Sequence, residues 1–483
     1  MNRVTLAWGE PVYPEEPPFG PGGAYPEARF APGPPNPAYD LVRESLARTG
    51  LDAGRLGTPA WNPLGDLIRP GETIVVKPNF VRDFHDHRRE GVEAVITHGA
   101  VLRAVLDYAQ IALKGSGRLI VTDVPQHDAS FERLIELAGL DRIKVLYDRP
   151  GFVRLEVFDL RTERVDSRDG VVARRVQLLG DPLGYSVVDL GPDSILAELD
   201  RQKPVYRGSD YDLEETVRHQ SRGVHEYLIP NTILGADVVI NVPKLKTHKK
   251  AGITVALKNM IGISGNKNWL PHYREGVPAQ GGDQYDRSGL AERVEGDSLR
   301  ALKKWLPKAG PVGAWTFSAL KAIGRAVFGS TEETVRSGNW YGNDTIWRTI
   351  LDLNRILLYA GRDGVMCPSR VRRYLAVVDG IVAGEGNGPL APRAKPCGLV
   401  VVGDDPMVVD LACARVMGFD WRKIPQLSRA GSIAAYPLGA GSPEEIEVAS
   451  NRAEWNGRMD GLTARGLSFE PHFGWRGHIE SRG

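Results

Sequence analysis

The chain has 483 residues, of which 42% are hydrophobic and 25% charged, and its 61 basic and 60 acidic side chains leave a formal net charge of +1. At this length a single hydrophobic core stops growing, so we expect two packed α/β lobes or one large domain with insertions. A nearly neutral chain has no overall field that attracts nucleic acid. We therefore expect no nucleic-acid partner, and any anion must be recognised by a local cluster of charge.

The cysteines and the N-terminus indicate the compartment. The only three cysteines, Cys367, Cys397 and Cys413, show no CxxC spacing, which argues against a disulfide framework, a zinc knuckle and a self-contained ferredoxin module. The N-terminal segment lacks the apolar core of a signal peptide, and the chain has no run of 18 apolar residues. These features predict a cytoplasmic protein without an iron–sulfur cluster or a membrane-spanning segment.

Four segments follow one another along the chain. Residues 1–40 contain strand-like "RVTLAW" and a Pro/Gly-rich arm, which we expect to lie as a strap on the surface. Residues 41–264 alternate strand-like and helix-like stretches, which predicts mainly parallel sheets flanked by helices. Within them, the short alternating segments of about 142–191 are typical of a β-rich antiparallel insertion. Residues 343–483 return to the α/β pattern as a C-terminal lobe and tail.

The fourth segment, residues 265–342, is predicted to be a loop and helical insertion. Its residues 300–328 carry six basic and no acidic side chains together with four large aromatic ones. A basic, aromatic-bearing helical stretch can lie on an anionic membrane surface. Peripheral membrane contact through 300–328 is therefore one interpretation, and packing of its apolar side on the body of the protein is the other.

Ligands of open α/β sheets bind outside the carboxyl ends of the strands, so polar residues just after predicted strands are candidate site residues. Five such junctions are unusually polar. They are Lys77 with Asn79; Asp123 with Gln126; Lys244 with Lys246 and His248; Asp379 with Glu385; and Asp404 with Asp405.

The richest of these junctions is "PKLKTHKKAGITVALKN", residues 243–259. If 243–250 stay extended, the two-residue period of a strand places Lys244, Lys246 and His248 on one side, with Lys250, as a cationic wall. The alternative is a solvated basic loop, which we prefer for Lys249 and Lys250. For the others we expect a functional role: His248 is the candidate for proton transfer, and Lys246 assists as a catalytic group that holds the anion.

The second half of this stretch is predicted to be a helix. Gly252 allows a tight turn into it, and Thr254 and Lys258 would then share one helical face. Free N–H groups at the start of a helix add positive potential that suits a phosphate or a carboxylate. We therefore expect Lys258 and Asn259 to bind an anion together with Lys244.

Two further stretches offer candidate ligands. In "ITHGAVLRAVLDYA", Thr97 is a candidate N-cap of a helix whose first turn presents His98, and either a capping role or a site role is open. The loop 265–285 has little periodicity and carries Asn266, Lys267, His272 and Asp283. Long irregular loops of this kind are often lids or binding loops.

The last candidates are carboxylates in "VVDGIVAGEGNGPLAP". Four glycines between 380 and 388 free the backbone around Asp379 and Glu385. Carboxylates that face a cationic wall can act as a general base or bind a divalent ion. A plain turn is the competing interpretation, and a site for Mg²⁺ or another divalent metal at these two residues is one expectation.

The chain has no GxGxxG after a strand, no GxxxxGK[ST] and no GxSxG, so the usual dinucleotide, P-loop and hydrolase interpretations lose their support. The stretches "VVKPNFV", "ITHGAVLRAVLDYA", "TDVPQ", "GADVVINVPKLKTHKKAGITVALKNMIG" and "VVDGIVAGEGNGPL" together resemble the family called domain of unknown function 362. That resemblance implies no particular reaction. Some relatives look fused to four-cysteine ferredoxin modules, whose cysteines this chain lacks.

A fainter similarity is to the lactate-racemase-like nickel-pincer proteins. Their strand-then-histidine loop, followed by Ala-Gly and a lysine, looks like His248, Ala251, Gly252 and Lys258. No residue-by-residue match identifies a cofactor-bearing lysine. The similarity therefore implies acid–base chemistry at a cationic site and does not predict nickel.

Together these observations predict an α/β enzyme that acts on a phosphate-, carboxylate- or nucleotide-sugar-bearing small molecule by acid–base chemistry, with a divalent metal as an option. One alternative is a non-catalytic binding or assembly protein at the membrane surface in envelope-polymer synthesis, and a disfavoured one is an iron–sulfur redox protein. The expected catalytic residues are His248, Lys246 and Glu385, and the expected metal ligands are Asp379 and Glu385. The expected anion-binding residues are Lys77, Asn79, His98, Asp123, Lys244, Lys258, Asn259 and His272.

Overall fold

The computed structural model describes residues 3–168, 171–208, 213–287, 334–439 and 443–481. The basic stretch 300–328 lies outside the described residues, so its membrane contact stays a prediction. Within the described residues, no helix is both long and apolar enough to span a bilayer.

The described strands, in chain order, are β1 (Arg3–Trp8), β2 (Thr73–Pro78), β3 (Arg118–Asp123), β4 (Leu155–Asp159), β5 (Glu163–Arg168), β6 (Val171–Gln177), β7 (Tyr185–Asp189), β8 (Tyr206–Arg207), β9 (Gln220–Ser221), β10 (Val224–Pro230), β11 (Val238–Val242), β12 (Lys244–His248), β13 (Gly252–Thr254), β14 (Tyr273–Arg274), β15 (Arg373–Asn387), β16 (Ala391–Gly403), β17 (Glu447–Ser450) and β18 (Gly457–Arg458).

The described α-helices, in chain order, are α1 (Pro37–Arg48), α2 (Gly99–Leu113), α3 (Phe131–Leu137), α4 (Leu140–Tyr147), α5 (Leu213–His219), α6 (Asn231–Leu234), α7 (Ala256–Asn259), α8 (Ile346–Tyr359), α9 (Pro406–Met417) and α10 (Pro425–Ser428).

The central feature of the fold is an eleven-stranded sheet. Its strand order is β18-β17-β1-β16-β15-β11-β2-β3-β4, and β12 and β13 extend it beside β15. The strands β15, β11, β2, β3 and β4 run parallel to one another. Strand β16 is antiparallel to both of its neighbours, β1 and β15, whereas β1 is parallel to β17. The prediction of a mainly parallel sheet flanked by helices is therefore confirmed.

Side chains of the central strands alternate between two hydrophobic cores. In β2, Ile74 and Val76 pack on the core that includes α1 to α4, while Val75 packs on the core that includes α8 and α9. A strand that is buried on both faces needs apolar residues on both of them, which is why residues 74–76 of β2, 119–121 of β3 and 238–240 of β11 are continuously apolar. Covering both faces also leaves the carboxyl edge of the sheet as the place where polar groups converge.

The lobe boundaries stay predictions, although strands from the arm and from both predicted lobes lie in this one sheet. The segment 142–191 does contain the antiparallel pair of β5 with β6, and its strand β7 pairs antiparallel with β10, which lies outside it. Its first strand, β4, instead joins the edge of the central sheet in parallel to β3.

The structure excludes two local interpretations that the sequence left open. The glycine-rich stretch after Asp379 is no turn, because β15 continues through it to Asn387. Close packing explains the glycine at position 384, because a Cβ at Gly384 would lie 2.9 Å from the carbonyl oxygen of Ala94 and 3.0 Å from the Cβ of Lys246. The other excluded interpretation is that Thr97 caps α2. His98 is the N-cap of α2, and its Nδ1 accepts a hydrogen bond from the N–H of Ala100, while Thr97 Oγ1 donates to the carbonyl of Val242.

Candidate functional site

A cavity of about 330 Å³ lies where β2, β3 and the loops after β12 and β13 converge. Its most distinctive property is charge. The cationic side chains that line it are Lys77, Arg82, Lys246, Lys249, Lys250, Lys258 and Lys267, and the carboxylates are Asp123 and Asp128. His248, His272, Asn79, Thr254 and Asn259 line it as well. The carboxyl ends of parallel strands are where an open α/β sheet is expected to bind its ligand.

The floor of the cavity is a buried ion pair. Lys77 Nζ lies 2.8 Å from Asp123 Oδ1, and it also donates to the side-chain oxygen of Asn259 at 3.3 Å. Burial lowers the pKa of Lys77, and Asp123 opposes that effect. The backbone at Gly262 approaches this pair so closely that a Cβ there would lie 2.3 Å from Asp123 Oδ1 and 2.5 Å from Lys77 Nζ. A glycine is therefore required beside the ion pair.

An amide network ties the floor together. The Nδ2 group of Asn79 donates to Asn259 Oδ1 at 2.8 Å, and Asn259 Nδ2 donates to Asn241 Oδ1 at 2.7 Å. Asn79 Oδ1 is buried without a hydrogen-bond partner in the part of the chain that the structure describes, and so is Thr254 Oγ1. Buried polar atoms are normally paired, so these two atoms are available to a ligand in the cavity.

Two of the lysines differ in how they are held. Lys246 Nζ donates to the backbone carbonyl of Val95, and burial, followed by the charges of Lys244 and Lys258, lowers the pKa of Lys246 well below its ordinary value. Lys258 is partly accessible, and its ammonium has no hydrogen-bond or ion-pair partner among the described residues. Burial and the charge of Lys77 lower the pKa of Lys258 to about 7. Lys258 is therefore about half protonated at neutral pH.

The two histidines of the cavity have opposite proton arrangements. His248 Nδ1 accepts from the backbone N–H groups of Lys250 and Ala251, each at 3.1 Å. A neutral imidazole with Nδ1 as an acceptor carries its proton on Nε2. His272 Nδ1 lies 2.8 Å from the carbonyl oxygen of Leu270, so Nδ1 must carry the proton there, and Nε2 is the acceptor.

Both imidazoles are held in the neutral form. Burial lowers the pKa of His248 well below its ordinary value, and Lys258 is the charged neighbour with the largest effect. Burial likewise lowers the pKa of His272, and the charge of Lys250 adds to that effect. The cavity therefore combines one imidazole N–H donor with one imidazole acceptor.

The start of α7 differs from its prediction. Residues Gly252–Thr254 form strand β13 against β12, and α7 begins only at Ala256. The N–H group of Ala256 donates to Asp410 Oδ1 at 2.7 Å, and that of Leu257 lies 3.3 Å from Asp410 Oδ2. The carboxylate of Asp410 thus takes the place that was expected for a ligand at this helix end. Thr254 and Lys258 still reach the same cavity, from a strand and from a short helix.

Lys244 lies outside the cavity, in a second buried cluster. Its Nζ lies 2.8 Å from Asp379 Oδ2 and donates to the hydroxyl of Tyr13 at 2.8 Å. The Tyr13 hydroxyl donates to Asp379 Oδ1 at 2.6 Å, and its ring stacks on His98 with centroids 3.9 Å apart. Burial lowers the pKa of His98 to about 4. Tyr13 thereby fastens the N-terminal strap to β12 and β15.

A register shift explains why the cationic wall splits. Lys244 pairs with Asp379 but Lys246 pairs with Gly384, so the pairing of β12 with β15 is irregular between them. A strict two-residue period fails across such an irregularity. Lys246 and His248 therefore line the cavity, and Lys244 does not.

The two predicted metal ligands do not share a site. Glu385 lies 2.8 Å from both Arg393 and Lys395, and it accepts from the N–H of Glu470 at 3.0 Å. It is six residues from Asp379 along β15, a separation of about 20 Å at the rise of an extended strand, and neither residue lines the cavity. Within the described ranges, no group of three or more His, Cys, Asp or Glu side chains is arranged to hold a metal ion.

Several cavity residues were not among the expected ligands. Lys249 and Lys250 were expected to be solvated, yet both line the cavity, and Lys250 Nζ lies 4.7 Å from the centroid of the Tyr273 ring. Lys267 donates to the carbonyl of Ile261 at 2.7 Å, and Arg82 pairs with Asp128. The sequence signal for Lys267 was its position in the irregular loop that also carries His272.

These features define a mixed α/β protein with a cationic cavity at the carboxyl edge of a mainly parallel sheet. The family model described as "Domain of unknown function (DUF362)" matches residues 195–415. This match confirms the resemblance seen in the sequence, and it includes β11, β12, α7 and most of the cavity loops. No curated protein matches the chain.

Two solved structures are similar to the chain at low identity. A crystal structure of a Thermotoga maritima protein has a TM-score of 0.32 and 11% identity, and the match covers 77% of this chain and 57% of that one. The apoprotein of lactate racemase from Thermoanaerobacterium thermosaccharolyticum has a TM-score of 0.32 and 12% identity, with 79% and 55% covered. The chain thus spans little more than half the length of either protein.

Proposed function

We propose that this protein is an enzyme that binds an anionic small molecule in the cationic cavity and moves a proton on it with His248 and His272. The observation that carries the proposal is the meeting, in one cavity, of Lys258, which has no partner in the described part of the chain, with two neutral imidazoles of opposite tautomer.

Charge balance supports an anionic ligand. Of the two carboxylates in the cavity, Asp123 pairs with Lys77 and Asp128 with Arg82. Among the residues that the structure describes, Lys246 and Lys267 donate to backbone carbonyls, and Lys258 has no hydrogen-bond or ion-pair partner. A buried charge without a counter-charge costs several kcal/mol. A phosphate or carboxylate would supply that counter-charge to all three lysines.

The volume of the cavity limits the size of the ligand. About 330 Å³ is at the lower end of the range for small-molecule cavities. This volume favours a small phosphate- or carboxylate-bearing metabolite over a nucleotide sugar, which needs more room.

The histidines suit general acid–base catalysis. The Nε2 atom of His272 can accept a proton, and the Nε2–H group of His248 can donate one. A bound anion raises the pKa of nearby imidazoles, which moves both toward the neutral range where histidine gains and loses protons readily. Lys246, on the same strand as His248, would hold the anion that makes this possible.

The proposal assigns no metal role to Asp379 or Glu385. Lys244 neutralises the first of these carboxylates, and Arg393 and Lys395 neutralise the second. Glu385, away from the cavity, has a structural role in this proposal: it ties β15 to β16 and to the segment around Glu470.

Two screens test the proposal. In the first, thermal melting is followed with sulfate, phosphate and oxalate, with glycerol as the neutral control. We expect the anions to raise the melting temperature of the wild type and of the surface variant Lys144→Met, and to have much less effect on Lys246→Met. If none of the anions stabilises the wild type, the proposed function is wrong.

The second screen addresses the proton transfer. Small 2-hydroxy acids, 2-oxo acids and phosphate esters are incubated with the protein in D₂O, and deuterium incorporation is followed by NMR. We expect exchange into one class of compound, with a rate about 10²-fold or more lower in His272→Gln, the usual size of a general-base contribution. Exchange that His248→Gln and His272→Gln both leave unchanged would contradict the assigned roles.

A further inference from the structure

We propose that Lys258 is a nucleophile that forms an imine with the carbonyl group of an anionic aldehyde or ketone. This inference rests on the proposed function, because it places the substrate in the same cavity, and it names the substrate class. The class is a small carbonyl compound that also carries a carboxylate or a phosphate.

The position of Lys258 distinguishes it from the three buried lysines of the cavity. Lys77 is held by Asp123, and Lys246 and Lys267 are held by backbone carbonyl oxygens. Lys258 alone of these four has no hydrogen-bond or ion-pair partner among the described residues, and it is partly accessible where it lines the cavity. Its amine is therefore free to reach a ligand, whereas the other three are already oriented as binding groups.

Hydrogen bonds hold the backbone around Lys258 in place. Lys258 is the third residue of α7, and the first two N–H groups of that helix are bound by the carboxylate of Asp410. Asn259, the next residue, is held in the amide network of the floor. The backbone on both sides of Lys258 is therefore fixed, and so is the Cα atom from which its side chain extends.

The charge around Lys258 favours the reactive form of the amine. Only an unprotonated amine attacks a carbonyl, and an ordinary lysine is unprotonated in roughly one part in 2,500 at pH 7. Burial and Lys77 lower the pKa of Lys258 to about 7, so about half of the molecules carry a free amine at that pH. A lysine that is desolvated beside another cation is a recognised way to activate such a nucleophile.

The step balances with groups of the cavity. The Lys258 nitrogen adds to the carbonyl carbon, the C–O π electrons move to the oxygen, and one proton passes from the nitrogen to the oxygen to give a neutral carbinolamine. The oxygen then takes up a second proton, the C–O bond breaks as water leaves, and the nitrogen loses its last proton to give the C=N bond. The Nε2–H of His248 is a proton donor for the departing oxygen, and Nε2 of His272 is an acceptor for the proton lost from nitrogen.

The remaining lysines select the substrate. With Lys258 engaged at the carbonyl carbon, Lys246 and Lys267 are left for the anionic group of the same molecule. A neutral aldehyde lacks that group. It should therefore react more slowly than an anionic aldehyde of similar size.

Reductive trapping tests the inference on the full chain. The protein is incubated with glyoxylate or with pyridoxal 5′-phosphate, and with propionaldehyde as the neutral control. Sodium cyanoborohydride then reduces any imine to a stable secondary amine, and peptide mass spectrometry locates it. We expect one dominant adduct of each anionic aldehyde on Lys258, protection by sulfate, and a rate that rises with a midpoint near pH 7.

Variants separate this site from background labelling. Lys258→Arg should remove the dominant adduct, while Lys144→Met, a change at an exposed lysine, should leave it. Should Lys258→Arg fail to fold, adduct mapping on the wild type with and without sulfate still decides the matter.

Two results would overturn the inference, and they differ in what else they overturn. If sulfate raises the melting temperature but neither anionic aldehyde is trapped on Lys258 above the level on Lys144, the imine is wrong and the anion site stands. If sulfate neither protects nor stabilises the protein, the proposed function fails as well.

Discussion

Replacement of Lys258 by methionine should stabilise the protein below neutral pH. The apolar part of the side chain is kept, and the buried ammonium is removed. The pKa of this lysine falls from 10.5 to about 7, and each unit is worth about 1.36 kcal/mol, so the charge costs at most about 5 kcal/mol in the folded state. Because the side chain is partly accessible, water screens part of that cost, and we expect about 2–4 kcal/mol.

The direction of the pH dependence follows from the pKa of Lys258 in the unfolded and folded states. The unfolded chain binds the Lys258 proton up to about pH 10.5, whereas the folded chain loses it near pH 7. Between these values the unfolded state holds more protons, so this group makes the wild type more stable as pH rises. The advantage of Lys258→Met should therefore be largest below pH 7, shrink through that window and vanish near pH 10.5.

Thermal melting at pH 6, 7, 8 and 9 measures the effect. For a chain of this length, about 1 kcal/mol corresponds to about 1 °C, so Lys258→Met should melt about 2–4 °C above the wild type at pH 6. Lys144→Met serves as the control and should melt with the wild type throughout. If Lys258→Met melts below the wild type at pH 6, or if the difference is the same at pH 6 and pH 9, the ammonium is already compensated and the reasoning is wrong.

Three other predictions concern the cavity and the strap. Nitrogen chemical shifts from ¹⁵N NMR at pH 7 should show the Nε2–H tautomer for His248 and the Nδ1–H tautomer for His272; a common tautomer for both would contradict the hydrogen bonds described. Gly262→Ala should lower the apparent affinity for sulfate, measured from the rise in melting temperature, at least tenfold, because the added Cβ has no room beside the floor ion pair. An unchanged affinity would show that the ion pair can move to make room for the Cβ. Asp379→Asn should lower the free energy of unfolding by about 3–5 kcal/mol because it leaves the buried Lys244 without its counter-charge, and Tyr13→Phe should lower it by about 1–3 kcal/mol. Both losses should appear as lower melting temperatures. If neither variant melts below the wild type, this cluster does not hold the strap.

Much of the site follows from strand positions in the sequence. Lys77 and Asp123 come at the carboxyl ends of two buried strands that are neighbours in the sheet, and the structure joins them as the floor of the cavity. Lys246 and His248 follow from the two-residue period after β11. These residues could be predicted because a parallel sheet brings its carboxyl ends to one edge whatever the details of packing.

The errors arise where long-range pairing decides the outcome. Nothing in the local sequence indicates the register shift of β12 against β15 that turns Lys244 toward Asp379. Likewise, Asp410 lies more than 150 positions from the helix start that it caps. A local pattern cannot reveal partners that distant segments supply.

The side-chain directions in the irregular loops are the other feature that could not be predicted from the sequence. His272 and Lys267 were recognised only as members of an irregular loop, since such a loop has no period from which side-chain directions follow. Their proton arrangement and partners come from contacts with Leu270 and Ile261 in the folded chain. The same holds for Lys249 and Lys250, whose positions on the cavity no charge pattern distinguishes from a solvated surface.

The central claim is that a half-buried, partly deprotonated lysine meets an anion in this cavity. Isothermal titration of sulfate at pH 7, in two buffers of different ionisation enthalpy, tests it most directly, because the difference in heat counts the protons taken up. We predict that each sulfate bound draws about half a proton or more onto the wild type, and that Lys258→Met loses about half a proton of that uptake and binds more weakly. Sulfate binding without proton uptake, or with the same uptake in Lys258→Met, would contradict the account.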